Sequence, residues 1–290
     1  RGGALLCGPG GGRFVYDLRA RFDLFCKISP VRPLASLLDA GAVKPEAKKG
    51  ADIFLVRENA GGDYFGRWQQ EENRGKKIAS HHVEYREEEV ERIVRVALGL
   101  AKNRRGRLTL VLKSHGLPAI SELWASVTEK LVKDSGVRLE ILEADNAAFQ
   151  LIQAARDFDV AVSSNLFGDI LADCAGLLLG SRGLCFSGNF GTDGKAVYQT
   201  GHGAAYDLQG RDQANPVGQI LSLALLLEVS FGLTGMATVI LNGLEKTLGE
   251  GWRTADIASP GHRVVGTREF GQRLIDSLEN PLTEQSRNAR

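Results

Sequence analysis

Cysteine is scarce in this chain and poorly spaced for chemistry. Cys7, Cys26, Cys174 and Cys185 form no C-x-x-C pair, which removes the common zinc and redox-motif readings. In a chain of 290 residues they read as buried, reduced thiols rather than a disulfide framework. A charge imbalance is lacking too. The 36 Lys and Arg against 35 Asp and Glu leave a formal net charge of +1, too little field to attract nucleic acid or an anionic membrane. No apolar run approaches the roughly 18 uncharged residues of a membrane span. No signal-like stretch stands before Ala4-Leu5-Leu6-Cys7, so the cytoplasm is the default compartment. Internal repeats and low-complexity segments are absent. So is a strand, G-x-G-x-x-G and helix unit: Gly8-Pro9-Gly10-Gly11-Gly12 is too plain to be one.

What is present is ordinary globular composition, 43% hydrophobic and 24% charged, enough for one large or two moderate domains. Apolar, β-branched runs predict strands at Ala51–Val56, Leu108–Leu112, Arg138–Leu142 and Val160–Val162. Amphipathic spacing predicts helices at Glu87–Ala101, Glu122–Lys133, Asn146–Ala155 and Phe167–Leu178. That alternation argues for an α/β protein with a largely parallel sheet. Asn215-Pro216 opens a further, mostly apolar helix through Phe231.

Residues 165–173 read Asn-Leu-Phe-Gly-Asp-Ile-Leu-Ala-Asp. On a helix, the spacing of Asp169 and Asp173 stacks both carboxylates on one face. They repel unless a cation sits between them, and two hard oxygen donors suit Mg²⁺ or Mn²⁺. Taken alone, the pair more often reads as two solvated acids on an ordinary helix. In Val56-Arg57-Glu58-Asn59-Ala60-Gly61-Gly62-Asp63-Tyr64, Arg57 can grip a carboxylate bidentately and Tyr64 can donate a proton; a turn around a core tyrosine is the plain alternative. Lys113 ends a predicted strand and enters a Gly-containing loop with His115. It can work as a base if burial lowers its pKa, although such lysines are more often exposed. His202-Gly203-Ala204-Ala205-Tyr206-Asp207 runs toward the helix after Asn215, where backbone N–H groups can meet a nucleotide and Asp207 can accept from ribose hydroxyls.

Together these motifs resemble the β-decarboxylating dehydrogenases, the isopropylmalate, isocitrate, homoisocitrate and tartrate dehydrogenase family. The likeness runs from Arg19 to about Leu278 and is carried by Asp23-Leu24-Phe25, Gly61–Gly66, Gly168–Asp173 and His202–Ala205. It implies a two-domain α/β fold of the isopropylmalate dehydrogenase type, with a mixed central sheet and a cleft between domains. The inner domain, for substrate, metal and dimerisation, would be residues 26–180. The outer cofactor-binding domain would be residues 1–25 plus 181–290, with the family's opening strand–helix–strand portion missing from this sequence. The implied activity is NAD-dependent, divalent-metal-dependent oxidative decarboxylation of a 3-substituted malate by a homodimer that shares its active sites.

The resemblance also assigns roles. Asp145, Asp169 and Asp173 match metal ligands, with Asp145 reaching across the dimer. Lys113, also from the partner, accepts the hydroxyl proton, and Tyr64 protonates the enol. Arg19 and Arg57 bind substrate carboxylates. His202, Gly203, Ala204, Ala205, Asp207 and Asn215 form the adenosine site. Several positions depart from the pattern. Ser29 stands where a third arginine is usual, with Arg32 close enough in sequence to replace it; His115, Gln199 and Tyr206 are further departures. Arg13 and Arg32 favour a substituent bearing another anion. These departures also motivate the alternative of a non-catalytic or regulatory homologue that retains the fold, and a simple nucleotide-binding module is a third reading.

Overall fold

The computed structural model describes residues 3–288. Its strands are β1 (Ala4–Cys7), β2 (Cys26–Val31), β3 (Ile53–Glu58), β4 (Trp68–Asn73), β5 (Lys76–His81), β6 (Arg107–Leu112), β7 (Arg138–Glu143), β8 (Val160–Ser163), β9 (Phe186–Phe190) and β10 (Ala196–Thr200), with two short strands near the C-terminus. The helices are α1 (Phe14–Arg21), α2 (Pro45–Lys48), α3 (Glu87–Lys102), α4 (Pro118–Val132), α5 (Ala144–Gln153), α6 (Asn165–Leu179), α7 (Val217–Phe231), α8 (Thr234–Gly249) and α9 (Thr267–Asn288).

Eight strands form one mixed sheet in the order β1-β10-β9-β2-β3-β8-β6-β7. The β3-β8-β6-β7 half is parallel, as near-continuous apolar runs in β6 and β8 require of strands covered on both faces. The centre, β10-β9-β2-β3, is antiparallel. The largely parallel sheet expected from the helix–strand alternation is therefore half of the answer, and the mixed sheet implied by the resemblance is the observed one.

Period-two alternation divides the sheet's faces. Val56, Val162 and Leu110 pack with Val90, Ile93 and Val94 of α3. Their neighbours Leu55, Ala161 and Val111 turn to the face covered by α5 and α6. On that second face the centre of the sheet is polar. Asn189, Lys27, Arg57 and Ser163 lie in register across β9, β2, β3 and β8, and all four are buried. Gly168 allows α6 to approach this row closely: a Cβ there would lie 2.7 Å from Arg57 Cβ and 3.0 Å from Ser163 Oγ. The core is continuous across residue 180, since Val31 and Leu37 share a cluster with Leu244, Leu248 and Phe270. Among the described residues no helix is long and apolar enough to cross a membrane.

One expected helix start shifts, and one hairpin was not expected. α4 begins at Pro118 rather than Glu122, because proline is suited to the first helical position. The hairpin β4–β5 has no apolar alternation to announce it. It turns at Arg74-Gly75, both at positive φ, the conformation of a tight two-residue hairpin loop.

Candidate active site

The parallel strands point their C-terminal ends at one edge, the usual place for a site in such sheets. β3 delivers Arg57 there and β8 leads directly into α6. Arg57, 3% exposed, is held by Asn165 Oδ1, which accepts from Nε at 2.9 Å and Nη2 at 2.6 Å. Its Nη1 donates to Asp169 Oδ1. Asn165 is fixed in turn: its Nδ2 donates to the Gly61 carbonyl at 2.8 Å and its backbone N–H to Tyr85 Oη at 3.0 Å. Tyr85 donates to Asp63, which also accepts the Leu166 N–H. The turn before Tyr64 depends on Gly62, at φ 65° with the Tyr85 hydroxyl where a Cβ would be.

The Tyr64 hydroxyl donates to Asp169 Oδ2 at 2.8 Å. Burial first, then the hydrogen bond to Asp169 and its charge, push the Tyr64 pKa up to about 12. Tyr64 is therefore a protonated donor at neutral pH. Burial disfavours the Asp169 carboxylate, but Arg57, the Tyr64 hydroxyl and Lys27 outweigh it and hold its pKa below the ordinary value. From α1, Tyr16 stacks on Tyr64 with centroids 5.9 Å apart, under the guanidinium groups of Arg13 and Arg19, each 5.4 Å from the ring.

Arg19 is 6% exposed, and its Nε has no hydrogen-bond partner among the described residues. Burial and the neighbouring Arg57 charge lower its pKa to about 10. Arg19, Arg57, Tyr64 and Asp169 are thus drawn together as the motifs suggested. Asp169 and Asp173 line one cavity with Lys27 and Ser29, and each is about half exposed. The donors are hard oxygens one helical turn apart, a set that fits Mg²⁺ or Mn²⁺. Asp173 is engaged by Arg182 at 2.7 Å. Among the described residues no group of three His, Cys, Asp or Glu is assembled for a metal.

Arg32, Lys113 and Asp207 lie apart from this cluster. Arg32 does not reach the cleft: it pairs with Asp52 and stacks on Phe54. It follows the far end of β2, five residues beyond Lys27 and so about 16 Å away along the strand. Lys113 is not a buried lysine of lowered pKa. It pairs with Asp145 at 2.8 Å and Glu143 at 3.5 Å, and its pKa is raised, first by the hydrogen bond to Asp145. This pair sits two and three strands from β3 in the sheet order, apart from Tyr64, and Asp145 is mostly exposed. Finally, a cavity of about 820 Å³ is lined by His202, Gly203, Ala205 and Asn215, but not by Asp207 or Ala204. Its acids are Asp212 and Asp256. Asp207 lies exposed on a short turn after Ala205, which is at φ 46°. Asn215 caps α7 through the Val217 N–H at 3.0 Å and donates to Asp256 at 3.0 Å.

Sequence reading missed Lys27, Asn165 and Asp256. A charged side chain at an inward position of the apolar strand Cys26–Val31 was the available signal for the first. The other two carry none, because neighbours distant in sequence define them.

A family model described as isocitrate/isopropylmalate dehydrogenase matches residues 12–274. The 3-isopropylmalate dehydrogenase of Geobacillus kaustophilus is 41% identical over 260 residues, 89% of this chain and 70% of its own. That of Pseudomonas putida is 41% identical over 271 residues, 92% of this chain and 75% of its own. The crystal structure of isocitrate dehydrogenase from Methylococcus capsulatus is similar with a TM-score of 0.85 at 28% identity, covering 95% of this chain and 81% of that one. Fold and relatives together define a decarboxylating hydroxy-acid dehydrogenase. Within that class the chain belongs to the isocitrate/isopropylmalate dehydrogenase family.

Proposed function

We infer that the protein oxidatively decarboxylates a 3-substituted malate to a 2-oxo acid and CO₂, using NAD and Mg²⁺ or Mn²⁺. The carrying observation is the cluster of buried cations beside a protonated tyrosine. Arg19 and Arg57 are buried, and Arg19 has no ion-pair partner among the described residues. Arg57 is already paired with Asp169, but a buried charge such as that of Arg19 needs an anion, and a substrate carboxylate would supply one.

In this reading Arg19 and Arg57 hold the substrate carboxylates, and Arg57 keeps its orientation through Asn165. Lys113 of a second copy would take the hydroxyl proton as its neutral amine, which requires that docking loosen its pairing with Asp145 and Glu143. Tyr64 then returns a proton to the carbon that has lost CO₂. When bound, a divalent cation at Asp169, Asp173 and Asp145 of a second copy would polarise the developing carbonyl, and NAD, its adenosine in the His202 cavity, would take the hydride. Two observations support sharing between copies: Lys113 and Asp145 lie apart from Tyr64, and Phe149, Ile170 and Leu177 leave apolar side chains exposed on α5 and α6. The cleft would fall between an inner domain, residues 26–180, and an outer one, residues 1–25 plus 181–290. The four free thiols suit a reducing compartment such as the cytoplasm.

With Arg32 committed to Asp52, Tyr16 and Arg13 are left to meet the malate's substituent. A steady-state panel with NAD or NADP, covering 3-isopropylmalate, homoisocitrate and malate, tests the assignment. Turnover of a 3-substituted malate with NAD is expected. Silence on every member, from a dimeric, folded protein, would support a non-catalytic homologue instead.

A further inference from the structure

We propose that Lys27 is a substrate-binding residue that supplies, from a different position on β2, the third cation that Ser29 does not. The inference rests on the reading of the site as one for a 3-substituted malate. Lys27 is 6% exposed, and among the described residues no carboxylate forms an ion pair with it. It lies directly opposite Arg57 in the β2–β3 ladder, so two cations share one buried face with Cβ atoms roughly 5 Å apart. Like charges so placed destabilise a sheet, and burying an unpaired ammonium adds to the cost. Asp169, ion-paired with Arg57, offsets part of this repulsion, and a further anion between Arg57 and Lys27 would offset the rest.

The cavity into which Lys27 faces is lined by Ser29, Asp169 and Asp173, so its contents meet the acids assigned to the metal. Residues 27 and 29 are two apart on one strand and project from the same face. Lys27 and Ser29 line the same cavity, and of the two only Lys27 carries a cation. The cationic function has moved one pleat along β2, toward Arg57 and away from Val31. Its ligand would be a carboxylate of the malate core, held jointly with Arg57. An ammonium is a point-charge donor where an arginine would be a planar fork, so the moved cation fixes the carboxylate's position with less constraint on its plane.

The test is Lys27→Met, close in length and uncharged, alone and combined with Ser29→Arg. Losing a charge-assisted hydrogen bond should raise KM for the malate roughly 10- to 100-fold, and calorimetry should show the same loss of substrate affinity with the metal present. KM for NAD should stay within about twofold, since the cofactor cavity does not include residue 27. The double variant should regain most of the affinity. Lys27→Met should also melt no lower than wild type, because removing a buried charge that has no partner relieves a cost. A lower melting temperature with unchanged malate affinity would overturn the proposal and make Lys27 a structural counter-ion of Asp169 and Asp173. Unchanged affinity and unchanged melting would overturn it as well. If wild type itself neither binds nor turns over a malate, the reading of the site fails first, and that result is separate from the behaviour of Lys27.

Discussion

Tyr64 holds its proton between a carboxylate and a guanidinium. Asp169 accepts its hydrogen bond at 2.8 Å, while Arg57 lies 5.2 Å from the ring. If Tyr64 is the proton donor proposed above, Tyr64→Phe should reduce turnover by roughly 10²- to 10⁴-fold with little change in substrate affinity or melting temperature. An unchanged rate would remove it from the proton path. Arg32 makes the opposite case. Its sequence proximity to Ser29 suggested a substrate role, but its guanidinium is spent on Asp52. Arg32→Gln should leave KM unaltered and cost no more than about 1 kcal/mol, since the pair is exposed. Burial opposes ionisation of Asp52, but hydrogen bonds from Arg32 and Arg104 outweigh it and depress its pKa. The stabilisation is therefore present above about pH 4 and lost as pH falls further. Urea midpoints measured against pH should show a shallower acid limb in Asp52→Asn than in wild type. Residue type and motif spacing singled out Arg57, Tyr64, Asp169 and Asp173, and the fold places Arg57, Tyr64 and Asp169 in hydrogen-bond contact. The same signals misplaced Arg32 because strand direction, unlike sequence distance, decides which end of β2 faces the cleft.

At the scale of elements, the site is the junction of β3, β8 and α6. α6 brings Asp169 against Arg57 only because Gly168 presents no Cβ to that side chain. Gly168→Ala should force the helix away, lowering kcat/KM at least about tenfold and stability by roughly 1–3 kcal/mol, the usual range for overpacking. Retained activity in a folded variant would show that α6 is less tightly coupled to Arg57. The helix and its paired acids were legible from spacing, and β3, β6, β7 and β8 from their apolar runs. β2, β9 and the hairpin β4–β5 were not. β2 interrupts its apolar pattern with Lys27, Ser29 and Pro30, and β4–β5 is exposed throughout, so no buried face writes a pattern into its sequence.

In the whole molecule, the chemistry stands in two parts. Tyr64, Arg19, Arg57, Asp169 and Asp173 form one, and Lys113 with Asp145, paired at 2.8 Å, forms the other. If a second copy joins them, Tyr64→Phe and Lys113→Met variants should each be inactive alone. Mixed and allowed to exchange subunits, they should recover about a quarter of wild-type activity, because half the dimers are hybrids and each hybrid has one intact site. No recovery despite proven exchange would place both parts in one chain's site.

The proposed reaction can be read directly. The most direct measurement records NADH and released CO₂ together in one progress curve, with the purified protein, 3-isopropylmalate, NAD and Mg²⁺, before and after a chelator is added. The expected result is NADH and CO₂ appearing in equal amounts and stopping together when the metal is removed. NADH without CO₂, or turnover indifferent to the chelator, would contradict it.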